Sequence, residues 1–269
     1  MAVVRTFARN HLWSVLCLLG LVISTGHAPF SLWPVSLICL SLAFRLHEAH
    51  ECRKPSFKSS FKNGWWLGFG FFLGTLNWLV EPFLVDIATH GWMAPFAVVL
   101  VSGGLALFWG AGMSLGHILG GKLGCVIGLG LCEVARGYLF TGFPWGLLGY
   151  IWVDTPVAHL ASYFGAYGLT AITFGFCALL AQSFYVRRKI MGLGSLFLVL
   201  LAVWIFGNTV RPTYTAPENA TVIRLVQPNA PQDKKFDPKF AMDYFQRMLK
   251  FSQQAPQPDL IVWPETSLP

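Results

Sequence analysis

The sequence predicts a polytopic α-helical membrane protein of about seven spans, followed by the opening βαβ unit of an α/β sandwich. Three observations carry that prediction. Of the 269 residues, 55% are hydrophobic and only 12% charged, about half the roughly 25% charge of a soluble domain. The deficit is uneven: up to about Gly207 long apolar runs alternate with short polar gaps, whereas from Asn208 onward the composition is that of a water-facing protein. The basic residues of the first part collect in one set of gaps, the pattern that orients spans in a bilayer. Together these divide the chain into a helical bundle over 1–207 and the start of a second domain over 208–269.

Apolar runs at 11–26, 32–46, 64–80, 93–116, 122–140, 160–185 and 190–207 approach the ~20 residues needed to cross a bilayer. The first follows Arg5 and Arg9 as the core of a signal peptide does. However, no small-residue cleavage site follows it, and "HAPFSLWP" leads directly into the second run, so it is read as a retained span. The first two runs, short and Pro-rich at their join, suit a tight helical hairpin.

The net charge of +7 suggests nucleic acid only until the positions are considered. With the N-terminus cytoplasmic, the cytoplasmic gaps are 1–10, 47–63, 117–122 and 186–189, which hold nearly all the Lys and Arg of this region. The opposite gaps, 81–92 and 141–159, hold none and carry Glu81, Asp86 and Asp154. Seven spans then place 208–269 outside the cytoplasm. Of six cysteines, Cys17, Cys39, Cys125, Cys132 and Cys177 lie in apolar runs and Cys52 in a gap. None forms a CxxC, so neither a disulfide framework nor a metal site is read, and no cofactor is implied.

Within the runs, "GWWLG", "GFFLG" and "GHILG" repeat a small-xxx-small spacing that lets helices approach closely. "GHILGGK", Gly116 to Lys122, spaces its glycines and lysine as a phosphate loop does. It lacks the following Ser or Thr and the preceding strand, and is set aside. "HEAHE", His47 to Glu51, places its second His one residue early for a zinc helix and is read as a solvated loop. Glu133 and Arg136, an i,i+3 step apart, can pair on one helix face. The gap after them contains Phe143, Trp145, Tyr150 and Trp152 and no basic residue. Such aromatics suit an ordinary interfacial belt, or a surface where lipid enters a site.

After Pro217 the pattern changes. Thr221 to Val226 alternates as a strand does. Asp237 with Pro238 opens a helix with an apolar face through Phe240, Tyr244, Phe245, Met248 and Phe251. "APQP" ends it, and Leu260 to Trp263 reads as a second, buried strand ended by Pro264. Glu265 then falls just past a strand's C-terminal end, where α/β proteins place their chemistry.

Three stretches, "CEVARGYLFTGFPWGLLGY", "LVQPNAPQDKKFDP" and "DLIVWPETSLP", resemble those of bacterial apolipoprotein N-acyltransferases. They occur in that family's order, after "APFSLWP" near the start of a similar bundle. The resemblance implies an inner-membrane bundle joined to a periplasmic nitrilase-like domain with a Glu-Lys-Cys triad. It implies a reaction in which the cysteine takes an acyl chain from a phospholipid as a thioester. The chain then passes to the N-terminal diacylglyceryl-cysteine of a lipoprotein. Glu265 matches the family's WPE glutamate, the general base. Phe143, Trp145, Tyr150, Phe236 and Trp263 are candidate contacts to substrate, Phe236 standing where the family commonly has Trp.

The sequence ends at Pro269, before the family's lysine and cysteine, and none of its own cysteines is placed to substitute. Residues 1–269 are therefore expected to lack acyltransfer activity by themselves. A second reading is a non-catalytic fragment that binds membrane lipid or lipoprotein. A third, a small-molecule transporter, lacks the inverted repeat or paired broken helices such proteins show.

Overall fold

The computed structural model describes residues 11–183, 189–210, 215, 217, 219–231, 234 and 237–265. By packing the chain divides into two units, Met1–Trp78 with Ala97–Arg211, and Leu79–Phe96 with Pro212–Pro269.

Helices occupy every stretch predicted as a span. In the first unit these are α1 (Leu12–Ile23), α2 (Trp33–Glu51), α3 (Phe57–Thr75), α6 (Ala94–Leu119, entered from the second unit), α7 (Gly121–Tyr138), α8 (Ala161–Ser183) and α9 (Lys189–Thr209). Three continuous segments among the described residues, Ile87–Leu119, Gly121–Thr141 and Pro156–Ser183, are long and apolar enough to cross a membrane. Phe57–Thr75 with Asn77–Leu84 makes a fourth if a 62° bend is counted within one span. The predicted run 64–80 is thus helical from Phe57 and broken at Leu76.

The bundle is close-packed where small residues face each other. On α1 a β-carbon at Gly20 would run into the Leu67 carbonyl, and on α3 one at Gly70 would meet the Cys17 carbonyl. Only glycine lets the two backbones approach this far. Trp109, Phe71, Phe72 and Phe174 form the centre, all fully buried. The Trp109 ring stacks on Phe71 at 4.8 Å and meets Phe174 edge-on at 5.7 Å.

One reading of the sequence is corrected. "HEAHE" is the last turn of α2 rather than a solvated loop, and His47 is only 4% exposed. The helix continues past its apolar run because neighbouring helices supply polar partners. Asn63 donates its amide to His47 Nδ1 at 3.2 Å, Glu51 meets His117 at 2.7 Å, and Glu48 pairs with Lys122 at 3.0 Å.

In the second unit, α4 (Glu81–Leu84) and α5 (Ile87–His90) are single turns. Asp86 caps α5 by accepting from the Thr89 amide, and hydrogen bonding from Thr89 holds its carboxyl below the usual range. Beyond residue 212, β1 (Ile223–Leu225), α10 (Pro238–Ser252) and β2 (Leu260–Val262) form a parallel pair with a helical crossover. Ile223, Arg224 and Leu225 stand opposite Leu260, Ile261 and Val262. As predicted, Asp237 caps α10, its carboxylate accepting from the Lys239 amide at 2.9 Å, with Pro238 in the first turn. Arg224 ties strand to helix end. Its guanidinium donates to the carbonyls of Phe251, Ser252, Gln254 and Pro256 at 2.5 to 3.3 Å.

Candidate functional site

In the second unit the site is built at the C-terminal ends of two parallel strands. Parallel pairing brings the segment after β1 and the segment after β2 to the same edge. The Val226 amide donates to the Val262 carbonyl at 3.0 Å, so Gln227 and Pro228 leave the sheet beside Trp263 and Pro264. Asn229 follows with φ of 52°, a left-handed turn that Asn tolerates. Arg247 on α10 holds this turn by donating to the Pro228 carbonyl at 2.7 Å.

Trp263 faces the helix. Its indole N–H donates to Ser252 Oγ at 2.9 Å and its ring meets Phe245 edge-on at 5.8 Å. In the described structure Trp263 thus anchors β2 to α10. Glu265 is exposed in the turn three residues past Val262. Phe236 lies outside the described residues.

In the first unit the aromatic loop is held by a buried ion pair. Glu133 and Arg136, each 1% exposed, meet at 2.6 Å across one turn of α7. The pair is extended at both ends. Trp109 Nε1 donates to Glu133 Oε1 at 2.5 Å, while Arg136 Nη1 donates to the carbonyls of Phe143 and Trp145 at 2.6 and 2.8 Å. The guanidinium also lies 5.0 Å from the centre of the Phe72 ring. A left-handed Gly142 (φ 81°) turns the chain so that the Phe143 amide donates back to the Arg136 carbonyl at 2.9 Å.

Such an arrangement satisfies most of the hydrogen-bonding capacity of two charges taken out of water, which is what makes their burial tolerable. It also holds Phe143 and Trp145 in place, their rings 5.0 Å apart, with Trp145 54% exposed. Tyr150 lies in the 3₁₀ turn Leu148–Trp152 and is half-buried. That turn is fastened to α8, where Thr170 accepts from the Gly149 amide at 3.0 Å and Thr173 from the Trp152 indole at 2.8 Å.

Trp109, Phe72 and His27, whose Nε2 lies 3.0 Å from the Leu147 carbonyl, belong to this scaffold but carry no sequence signal. Trp109 and Phe72 sit in apolar runs where an indole donor is indistinguishable from packing, and His27 acts across 120 positions. Among the described residues no group of three His, Cys, Asp or Glu side chains is arranged to hold a metal ion.

Residues 19–179 match the family model described as the apolipoprotein N-acyltransferase N-terminal domain. A protein of Caulobacter vibrioides named apolipoprotein N-acyltransferase is 35% identical over 260 residues, covering 93% of this chain and 48% of its own. Its namesake from Rhodopseudomonas palustris is 32% identical over 276 residues, covering 94% and 51%. That of Brucella suis is 33% identical over 226 residues, covering 77% and 42%. The chain thus spans about half the length of the curated relatives it matches. With a family model covering more than half of its residues, this chain belongs to the apolipoprotein N-acyltransferase family.

Proposed function

We propose that this chain is the membrane bundle and the first βαβ unit of a periplasmic nitrilase-like domain in an enzyme of the bacterial inner membrane. The bundle (1–207) crosses the membrane seven times with its N-terminus cytoplasmic, and 208–269 faces the periplasm. The enzyme moves an acyl chain from a phospholipid to the N-terminal amine of a lipoprotein's diacylglyceryl-cysteine. In a protein extended to the length of the named relatives, the lysine and the nucleophilic cysteine come from sequence beyond Pro269.

Glu265 acts as general base. It takes the thiol proton as sulfur attacks the phospholipid ester carbonyl; the ester C–O bond breaks, and the lysophospholipid leaves as an alcohol carrying that proton. The lipoprotein amine then attacks the thioester, Glu265 accepts its proton, and the amide forms as the thiolate leaves and is reprotonated. The Phe143 and Trp145 loop, braced by Arg136, offers an apolar surface for the acyl chain.

The observation that supports this reading most is the place of Glu265, immediately past the C-terminal end of β2 in a parallel pair, in a chain of this family. Glu265→Gln in the extended protein tests it. Gln keeps the shape but accepts no proton, so a cysteine of ordinary pKa, about 8.5, stays mostly thiol near neutral pH. Thioester formation, trapped with labelled phospholipid, should fall by roughly 10²–10⁴-fold. Wild-type thioester levels in a folded Gln variant would reject Glu265 as the base.

A further inference from the structure

The first unit contains a cavity that the acyltransfer reading does not use. It lies among the end of α2 and the turn after it, the end of α6, the start of α7 and the last turns of α8, and its volume is about 280 Å³, room for several waters or a small organic group. Its lining includes the polar side chains His47, Glu48, Glu51, His117 and Lys122 and the apolar Phe44, Cys125, Ala178 and Ala181.

Two carboxylate oxygens of the lining are left without a hydrogen bond. Glu48 spends one oxygen on Lys122, at 3.0 Å, and Glu51 spends one on His117, at 2.7 Å. The remaining oxygens, Glu48 Oε2 and Glu51 Oε1, are buried and have no hydrogen-bond partner in the protein. Both are acceptors, so the cavity calls for a donor. Lys122 pairs with Glu48 and the Arg45 cation acts on the same carboxylate, while burial pushes the His47 imidazole down to about 4, which leaves it neutral near pH 7. An anion brought here would face two unpartnered carboxylate oxygens. A metal ion has no three-ligand group among the described residues.

We propose that this cavity binds a primary ammonium group carried on an apolar body, with Glu48 and Glu51 taking the N–H donors and the apolar lining of Phe44, Ala178 and Ala181 taking the carbon chain. An ammonium presents three donors, enough for both open oxygens. The site is independent of Glu265 and of acyl transfer. The same chemistry is available from an aminophospholipid headgroup or from a free alkylamine.

Calorimetric titration of the purified 1–269 chain in maltoside micelles with n-hexylamine at pH 7.5 tests the proposal, with n-hexanol as the uncharged probe of like length. Saturable binding of hexylammonium at least tenfold tighter than hexanol is expected, weakened at least tenfold in Glu51→Gln and in Glu48→Gln. Equal affinity for the two probes, or no saturable binding, overturns it even if both Gln variants fail to fold. Unchanged affinity in a folded Glu51→Gln and a folded Glu48→Gln overturns it as well. The source is read in nanodiscs of phosphatidylglycerol. If hexylammonium is displaced when an ethanolamine phospholipid is added, the ammonium site is occupied by lipid. If hexylammonium stays bound, the site serves a soluble amine.

Discussion

His47 shows how a single side chain reports on its surroundings. Nothing in "HEAHE" distinguishes a solvated histidine from a buried one, because the partners, Asn63 on α3 and the α6–α7 junction at His117 and Lys122, are far away in sequence. Once buried, the imidazole titrates near 4 instead of 6.5. Between those values the unfolded chain binds a proton that the folded chain does not, so folded stability rises with pH across this window. The contribution is intact above about pH 6.5 and is lost as pH falls toward 4, reaching about 3 kcal/mol at 1.36 kcal/mol per pKa unit. His47→Gln, which can still accept from Asn63, removes this dependence. Between pH 7 and pH 5 the wild type is expected to lose about 2 kcal/mol more than the variant in SDS titrations followed by helical circular dichroism. Parallel losses in the two proteins would place His47 in water. At the same scale, the spacing of Glu133 and Arg136 made their pairing readable in the sequence, whereas the Trp109 donor and the two loop carbonyls were not, since those contacts depend on packing between helices.

At the scale of elements, the βαβ unit was the more legible part. Alternation over Thr221–Val226, the Asp237–Pro238 start and the "APQP" stop are local signals, and local signals set β1, α10 and β2. Arg224 escaped notice because it reads as the polar member of an alternating strand. In the structure it is the tie between β1 and the end of α10, donating to four carbonyls. The strands themselves supply little burial, with Ile223, Leu225 and Leu260 each at least half exposed, so polar ties carry more of the order here than in the bundle. Hydrogen bonds from a charged donor contribute about 1.5–3 kcal/mol. Arg224→Met should therefore speed amide exchange over residues 249–262 by tenfold or more and leave exchange in α6 unchanged. Equal protection in the two proteins would show that α10 docks without this side chain.

At the scale of the molecule, hydropathy located each helix to within a few residues at most ends, but length and charge say different things about spans. Among the described residues only three segments, or four with the bent pair, are long and apolar enough by themselves. The hairpin α1–α2 is short, and α2 ends in a charged turn that finds ion-pair and hydrogen-bond partners on other helices, which a window of hydropathy cannot anticipate. Orientation rests instead on the basic residues. The proposed topology puts Arg53, Lys54, Lys58 and Lys62 on one side with Lys122, and Glu81, Asp86 and Asp154 in the opposite gaps. Retention of positive charge in the cytoplasm during insertion is what the proposed orientation rests on. Cys52, exposed in the 52–56 turn, is a natural reporter on the basic side, and Ala230→Cys is its counterpart beyond α9. In intact spheroplasts a membrane-impermeant maleimide should label residue 230 and spare Cys52, with Cys52 reacting only after lysis. Labelling of Cys52 before lysis with protection of residue 230 would invert the topology and move Glu265 to the cytoplasm, away from any lipoprotein displayed on the outer face.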